Sequence, residues 1–248
     1  MPNQPESHPE NHIVTSFDTE LTELNSLISR MGGLAEAQLA DSVRAVVSRD
    51  SELAQQVIDG DDKIDALELE ANALVVRMLA LRQPMANDLR VVLSALKTSG
   101  WLERIGDYAK NIAKRSIALN QMSHVPAPGL SNMARMTQGL IKDVLDAYLQ
   151  NDAEKAVDVW RRDEEVDDLY NSLFRELLTY MMEDPRNITS CTHLLFMAKN
   201  IERMGDIATN IADNIHFRVT GETLEGARPK GADAAFTVLE PVTPKDSE

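Results

Sequence analysis

The sequence predicts an all-α protein made of two copies of a three-helix unit, and three observations lead to this prediction. Aromatic residues, on which strands often draw, make up only 4% of the 248 residues, and Leu, Ala and 11 Met dominate instead. Apolar residues recur at spacings of three and four along most of the chain, which is typical of amphipathic helices. The same succession of helical segments and breaks then occurs twice.

Three helices are predicted in the first half. The first has an apolar stripe over about 21–48, with Gly32 and Gly33 as a weak point where it could kink. A second helix follows and ends before Pro84, because proline breaks a helix. The third helix is predicted over about 86–121, antiparallel to the second.

The second half repeats this plan, with helices predicted near 130–150, 152–182 and 187–219 and a break at Asp184-Pro185. We therefore divide the chain into four parts. They are a disordered N-terminal arm (1–15), a first three-helix bundle (16–122), a second (123–220) and a flexible tail (221–248).

The two halves also share their residues. The segment LERIGDYAKNIA at 102–113 matches IERMGDIATNIA at 201–212, with eight of twelve positions identical. Upstream, DDKID at 61–65 aligns with DEEVD at 163–167, and Asp50 aligns with Asp152. This similarity predicts two copies of one unit.

Charge and composition exclude several classes of function. The formal net charge of −15 argues against sequence-independent nucleic-acid binding and against adsorption to anionic lipid, and it favours cationic partners. The single cysteine, Cys191, lies in an apolar helical stretch and is interpreted as a core residue in a reducing compartment. Neither a signal peptide nor a membrane span is visible, so we expect a cytoplasmic protein that meets membranes only through partners.

Carboxylates form a pattern in the first half. Glu103 and Asp107 are four residues apart and share one helix face, opposite the apolar stripe, which predicts an outer face. In a hairpin about Pro84, Asp65 lies level with Glu103 and Asp61 lies level with Asp107. Two acidic pairs are thus predicted to meet across neighbouring helices.

The second half repeats the pattern about the break at 184–185. Asp167 is paired with Glu202, and Asp163 with Asp206. Clustered carboxylates repel one another unless a cation lies among them, and oxygen-only ligands select hard cations such as magnesium, calcium, manganese or iron(III). Each half is therefore a candidate metal site.

A solvated acidic helix face is the alternative to a metal site, and the pattern leaves both open. Arg104 and Lys110 could compensate Asp107 in the first half, but Thr209 replaces the lysine in the second. Gly106 and Gly205 precede the motif aspartates and indicate close helix packing or ligand access.

No catalytic constellation is visible. The sequence has no Glu-x-x-His pair of the di-iron type, no P-loop and no arrangement typical of a nucleophilic triad. We therefore expect a regulator or binding adaptor that is not an enzyme. A metal-binding or metal-dependent helical protein is the alternative.

The doubled Glu-Arg-x-Gly-Asp-x-Ala-x-Asn-Ile motif, at 103–112 and 202–211, resembles the PhoU proteins, which regulate bacterial phosphate uptake and the phosphate regulon. The stretches MGG at 31–33, RQP before DLR at 82–90 and TYMMED at 179–184 are also similar to that family. The resemblance covers roughly residues 17–219.

The resemblance implies two three-helix bundles related by a pseudo-twofold axis, and it implies a homodimer. It also implies metal at the Glu/Asp-x-x-x-Asp motifs in some members, iron included, with Asp65 and Asp167 as cross-helix partners of those motifs here. Its implied partners are a phosphate ABC transporter and a membrane-bound sensor histidine kinase. The implied role is negative regulation that keeps phosphate signalling off when phosphate is plentiful.

Overall fold

A computed structural model of the chain describes residues 9–122, 125–126 and 128–224. The described residues form eight α-helices and one 3-10 turn, without strands. The first half contains α1 (Pro9–Ser48), α2 (Ser51–Gly60), α3 (Asp62–Arg82) and α4 (Asn87–Leu119). The second half contains α5 (Pro128–Gln150), α6 (Ala153–Arg162), α7 (Glu164–Glu183), the 3-10 turn Pro185–Asn187 and α8 (Ile188–Thr220).

The two halves are repeated helical bundles, as predicted. In the first half, α1, α3 and α4 pack on one another, and α2 packs against α1 and α4. In the second half, α5, α7 and α8 pack on one another, and α6 packs against α5 and α8. The halves meet through α1 against α5 and α4 against α8, so each inner helix packs on its own counterpart. The Glu36 and Gln138 side chains, 102 residues apart, approach to 3.4 Å. Contact between counterparts is what a pseudo-twofold relation requires.

The second helix predicted in each half is in fact two helices. The chain bends at Asp61 between α2 and α3, and at Asp163 between α6 and α7. Both residues have helical φ and ψ, so the axis bends without an extended linker. Sequence periodicity missed the bend because neither proline nor glycine marks the bend residue itself.

Helix α1 is longer than predicted, since it begins at Pro9 and includes residues 9–15 of the predicted arm. Proline is tolerated at the first helical position, and the apolar spacing extends back to Phe17, which packs against the core. Residues 1–8 of the arm lie outside the described residues. The helix continues unbroken through Gly32, where a Cβ would lie 2.6 Å from the Leu145 side chain of α5. This glycine therefore allows close packing of the halves and does not mark a kink.

The predicted alignment of Asp50 with Asp152 is confirmed by duplicated caps. Arg49 and Asn151 both have left-handed backbones, with φ of 54° and 55°. The residue after each is an N-cap: Asp50 accepts hydrogen bonds from two backbone N–H groups of α2, and Asp152 accepts one from Lys155. The caps start α2 and α6 at equivalent places and so set where the bends fall.

The second half ends at α8, which Gly221 terminates with a left-handed φ of 84°. The backbone N–H of Leu224 donates to Asp213 at 2.8 Å, and the rest of the predicted tail, 225–248, lies outside the described residues. In the part of the chain that the structure describes, no helix has an apolar stretch long enough to span a membrane.

Candidate functional site

The bend at Asp61 brings a carboxylate into the interior of the first half. Asp61 is only 1% exposed, and its Oδ2 accepts a hydrogen bond from Lys110 Nζ of α4 at 2.5 Å. Its Oδ1 is buried without a hydrogen-bond partner. A Cβ on Gly106 would lie 3.0 Å from this oxygen, so the glycine in the motif provides the space that the carboxylate fills.

The other first-half carboxylates surround this buried pair. Burial raises the pKa of Asp65 above its ordinary value, and the negative charge of Asp61 raises it further. Burial likewise raises the pKa of Glu103, with Asp107 and Asp65 as the next causes. The four predicted residues are thus within electrostatic reach of one another across α3 and α4, and they repel each other.

The second half has the same frame but a different charge balance. Asp163 is 1% exposed, and a Cβ on Gly205 would lie 2.5 Å from its Oδ1. The lysine here is Lys199, which donates to Glu202 at 2.8 Å. The second oxygen of Glu202, Oε2, is buried without a hydrogen-bond partner.

Two sequence interpretations need correction. The clusters were expected on an outer face, but Asp61 and Asp163 are buried, because the glycines opposite them leave room under α4 and α8. Lys110 was expected to compensate Asp107, but it bonds Asp61 across the helix pair. Asp107 is exposed and Glu103 half-buried, so the outer-face interpretation holds for the exposed end of the cluster only.

Some residues of the site were missed at the sequence level. Lys199 lies three residues before Glu202, a spacing that predicts an ion pair on a helix. The aligned residue of the first half is Gly100, so comparison of the two halves did not indicate this ion pair. Gln38 of α1 is buried beside Gly106 with its Oε1 unpartnered, and nothing in the repeat marks it. Cys191 is fully buried, as interpreted.

The donor atoms of both clusters suit a hard cation, since they are carboxylate oxygens. Burial and then the charges of neighbouring carboxylates raise the pKa values of Asp65 and Glu103, and a bound cation would favour their ionised forms. Against this, no group of three or more His, Cys, Asp and Glu side chains among the described residues is arranged to hold a metal ion. Metal binding by the eight carboxylates therefore stays a prediction.

Comparison with known proteins gives a consistent result. The family model described as "PhoU domain" matches residues 28–116 and again 130–215, one match for each half. The phosphate-specific transport system accessory protein PhoU homolog of Caulobacter vibrioides is 53% identical over 221 residues, covering 88% of this chain and 96% of that protein. The accessory protein PhoU of Escherichia coli K12 is 40% identical over 212 residues, covering 85% of this chain and 88% of that one.

A solved structure agrees with the sequence comparisons. The crystal structure of PhoU from Pseudomonas aeruginosa superposes with a TM-score of 0.80 at 40% identity, covering 83% of this chain and all of that one. The doubled motif, the repeated bundles and these relatives point to one family.

Proposed function

This chain belongs to the PhoU family, and on that premise we propose that it is a negative regulator of phosphate uptake and of the phosphate regulon. The relatives carry the name of accessory proteins of the phosphate-specific transport system, which supports a role tied to phosphate transport. The proposal is that the protein holds phosphate signalling off when phosphate is plentiful, by contact with the transporter and with a sensor histidine kinase.

An exposed apolar stripe on the outer face of α3 supports action by protein contact. Leu69 and Val76 on this face are 68% and 65% exposed. Three alanines complete the stripe at spacings of three and four, which is the seam that packs helix against helix in coiled coils. The α3 stripe consists of Ala66, Leu69, Ala73, Val76 and Ala80.

The repeat provides an internal reference for this surface. At the aligned positions, α7 carries Asp168, Asn171, Arg175, Leu178 and Met182. Helix α7 packs into its bundle as α3 does, so the fold does not require an apolar outer stripe there. Helix α7 exposes large apolar side chains only near its end, at Leu178 and Met182, so the continuous exposed apolar stripe is confined to α3. Such a stripe is typical of a binding surface.

We assign the α3 stripe to a helix in the cytoplasmic part of the phosphate transporter. The relatives' names connect the family to that transport system. Lys63, Glu70 and Arg77 flank the stripe with alternating sign, so polar contacts with a partner helix can fix its register. The kinase and a second copy of this chain, which the expected homodimer would bring, are the competing occupants.

The test is phosphate-regulon reporter output in a deletion strain grown in high phosphate. Deletion should give high output, and the wild-type gene should restore low output; output that stays low after deletion would show that the chain is not a negative regulator. Leu69→Glu with Val76→Glu should fail to restore repression and should lose co-purification with the transporter. The matched control, Leu178→Glu with Met182→Glu on α7, should restore repression, since these exposed side chains lie outside the stripe.

The results of the α3 experiment distinguish which partner binds the α3 stripe. Full repression by Leu69→Glu with Val76→Glu would exclude the α3 stripe as the docking surface. Loss of a dimer in sedimentation, with transporter binding intact, would assign the stripe to a second copy of the chain. Loss of kinase binding alone would assign it to the kinase.

A hard cation at the carboxylate clusters is the second candidate function, favoured because burial and then the charges of neighbouring carboxylates raise the pKa values of Asp65 and Glu103. Asp61, Asp65, Glu103 and Asp107 would hold it in the first half. The corresponding residues of the second half are Asp163, Asp167, Glu202 and Asp206. Bound iron, manganese or magnesium would neutralise the repulsion and change the surface charge presented to partners.

Metal content measured by mass spectrometry tests this candidate. Glu103→Ala with Asp107→Ala should remove the uptake of one of the two sites. Asp18→Ala with Asp88→Ala removes the same charge from exposed positions outside the clusters and should leave uptake unchanged. Equal metal stoichiometry in all three proteins would remove the clusters as metal sites.

A further inference from the structure

A polar pocket lies where the two halves meet, away from both carboxylate clusters. Its volume is about 320 Å³. Its walls come from α1 and the start of α4 in one half, and from the ends of α5 and α8 in the other. Three asparagines line it, Asn25, Asn87 and Asn151, together with Tyr148 and Arg218, and none of its described lining residues is acidic.

Arg218 brings a buried positive charge to this pocket. The side chain is 3% exposed, and one terminal nitrogen donates to the backbone carbonyl of Tyr148. Its Nε has no hydrogen-bond partner, and no described carboxylate forms an ion pair with it. Arginine stays protonated in proteins, and a buried charge without a counterion is unfavourable. The pocket therefore holds a cation that an anion would stabilise.

Tyr148 provides a second unused donor. The guanidinium carbon of Arg218 lies 4.2 Å from the centre of the Tyr148 ring, and this cation–π contact holds the two side chains together. The hydroxyl is buried beside the Arg218 guanidinium, which can only donate to it, so the hydroxyl proton itself has no acceptor among the described residues. Burial raises the pKa of Tyr148 to about 12, so the phenol keeps its proton at neutral pH and can donate it.

The start of α4 completes the surroundings. The N-cap of α4 is Ala86, which has no side chain to accept from the first-turn N–H groups, and Asn87 is the first helical residue. One turn further, Arg90 donates to Asn87 Oδ1 at 3.2 Å and has a buried Nε without a partner. A helix N-terminus favours anions. Asp88 lies in the same turn but is exposed and does not line the pocket.

We propose that this pocket binds a small oxyanion of the phosphate class, with Arg218 and Tyr148 as buried donors and the three asparagine amides at the rim. Free orthophosphate and the phosphoryl group of a small phosphate ester offer the same oxygens, and the pocket volume admits either. The inference needs no premise about regulation, because binding is a property of the purified chain alone.

Isothermal titration of the full chain with orthophosphate, with glycerol 3-phosphate and with sodium chloride at matched ionic strength tests the proposal. Saturable one-site binding of either phosphate compound, but not of chloride, is expected. Tighter binding of orthophosphate would identify the free ion, and tighter binding of the ester would identify a phosphoryl group of a larger ligand. No saturable binding of either compound would overturn the proposal.

Asn87→Asp locates the binding in this pocket without disturbing the fold. The new carboxylate still accepts from Arg90 and suits the first turn of α4, but it repels an anion, so affinity should fall about tenfold or more. The matched control is Asn132→Asp in the second turn of α5, where an exposed asparagine accepts from Arg135 at 3.0 Å in the same way, outside the pocket. Equal affinity of Asn87→Asp and Asn132→Asp would overturn the proposal.

Arg218→Lys then tests the buried donor. It retains the charge but loses the planar set of donors, so affinity should fall while the thermal unfolding temperature without ligand stays near that of the control. If this variant is too unstable to measure, Asn87→Asp alone decides, since its position is exposed. Unchanged affinity in a folded Arg218→Lys variant would count against the proposal.

Discussion

The two halves have the same helical arrangement, but a different carboxylate in each half forms the ion pair with lysine. In the first, a lysine on α4 bonds the fully buried Asp61, whereas in the second a half-exposed lysine on α8 bonds the partly buried Glu202. The feature common to both is an aspartate at the bend that fills the space left by a glycine, Gly106 or Gly205. The repeat thus retains the bend and its glycine, while the position of the neutralising cation is free to change.

Removing the two lysines should give the largest difference between the halves. Lys110→Met leaves the buried Asp61 without its charged donor, so we expect the free energy of unfolding to fall by ~2 kcal/mol. Lys199→Met removes a lysine that is 41% exposed, and its effect should be at most ~1 kcal/mol. Urea unfolding of both variants and the wild type measures this.

Two outcomes would contradict this view of the charge balance. Equal losses of unfolding free energy in the two lysine variants would mean that burial of Asp61 does not make its ion pair more stabilising than the exposed one. A larger loss for Lys199→Met would mean that the buried oxygen of Glu202 depends on that lysine more than Asp61 depends on Lys110.

Sequence reasoning predicted the fold more fully than the site. The apolar spacing and the doubled motif predicted the repeat and most of the helices, although the second helix of each half is in fact two. The distances from Pro84 correctly placed Asp65 near Glu103. Burial of Asp61 was not predicted, because the assignment of residues to helix faces assumed one straight helix, whereas the chain bends at Asp61. The pocket at Arg218 was missed because its lining comes from four distant segments, and no repeat or motif connects them.

Substitution of the two motif glycines by alanine tests how much space lies between each glycine and the buried aspartate opposite it. Gly205→Ala would place a Cβ 2.5 Å from Asp163 Oδ1, which is buried, and overpacking should outweigh the gain in helix propensity by ~1 kcal/mol. Gly106→Ala meets Asp61 and Ile64 at 3.0 Å, where smaller shifts are enough, so its net effect should be close to zero. Thermal unfolding followed by circular dichroism measures both.

Gly139→Ala is the control for helix propensity, because nothing lies within 4 Å of its added Cβ. It should stabilise the protein by ~0.5–1 kcal/mol. If Gly205→Ala raised the unfolding temperature as Gly139→Ala does, the close approach of Asp163 would not limit the residue at 205.

The smallest effect should come from neutralising one carboxylate in each half. Burial and then the charges of Asp107 and Asp65 raise the pKa of Glu103, so the folded state binds this proton more tightly than the unfolded state. The resulting stabilisation is complete below the ordinary pKa of 4.5 and is lost as the pH rises through the raised pKa. At neutral pH the ionised Glu103 therefore destabilises the fold.

Glu103→Gln should accordingly stabilise the protein at pH 7 by ~0.5 kcal/mol, with the gain shrinking as the pH falls through the raised pKa and disappearing below 4.5. Glu202→Gln should have the opposite sign at pH 7, because it loses the ion pair with Lys199. Unfolding temperatures measured from pH 4 to pH 8 give both trends. Two variants of equal sign would mean that the position of the lysine does not decide how each half tolerates its carboxylates.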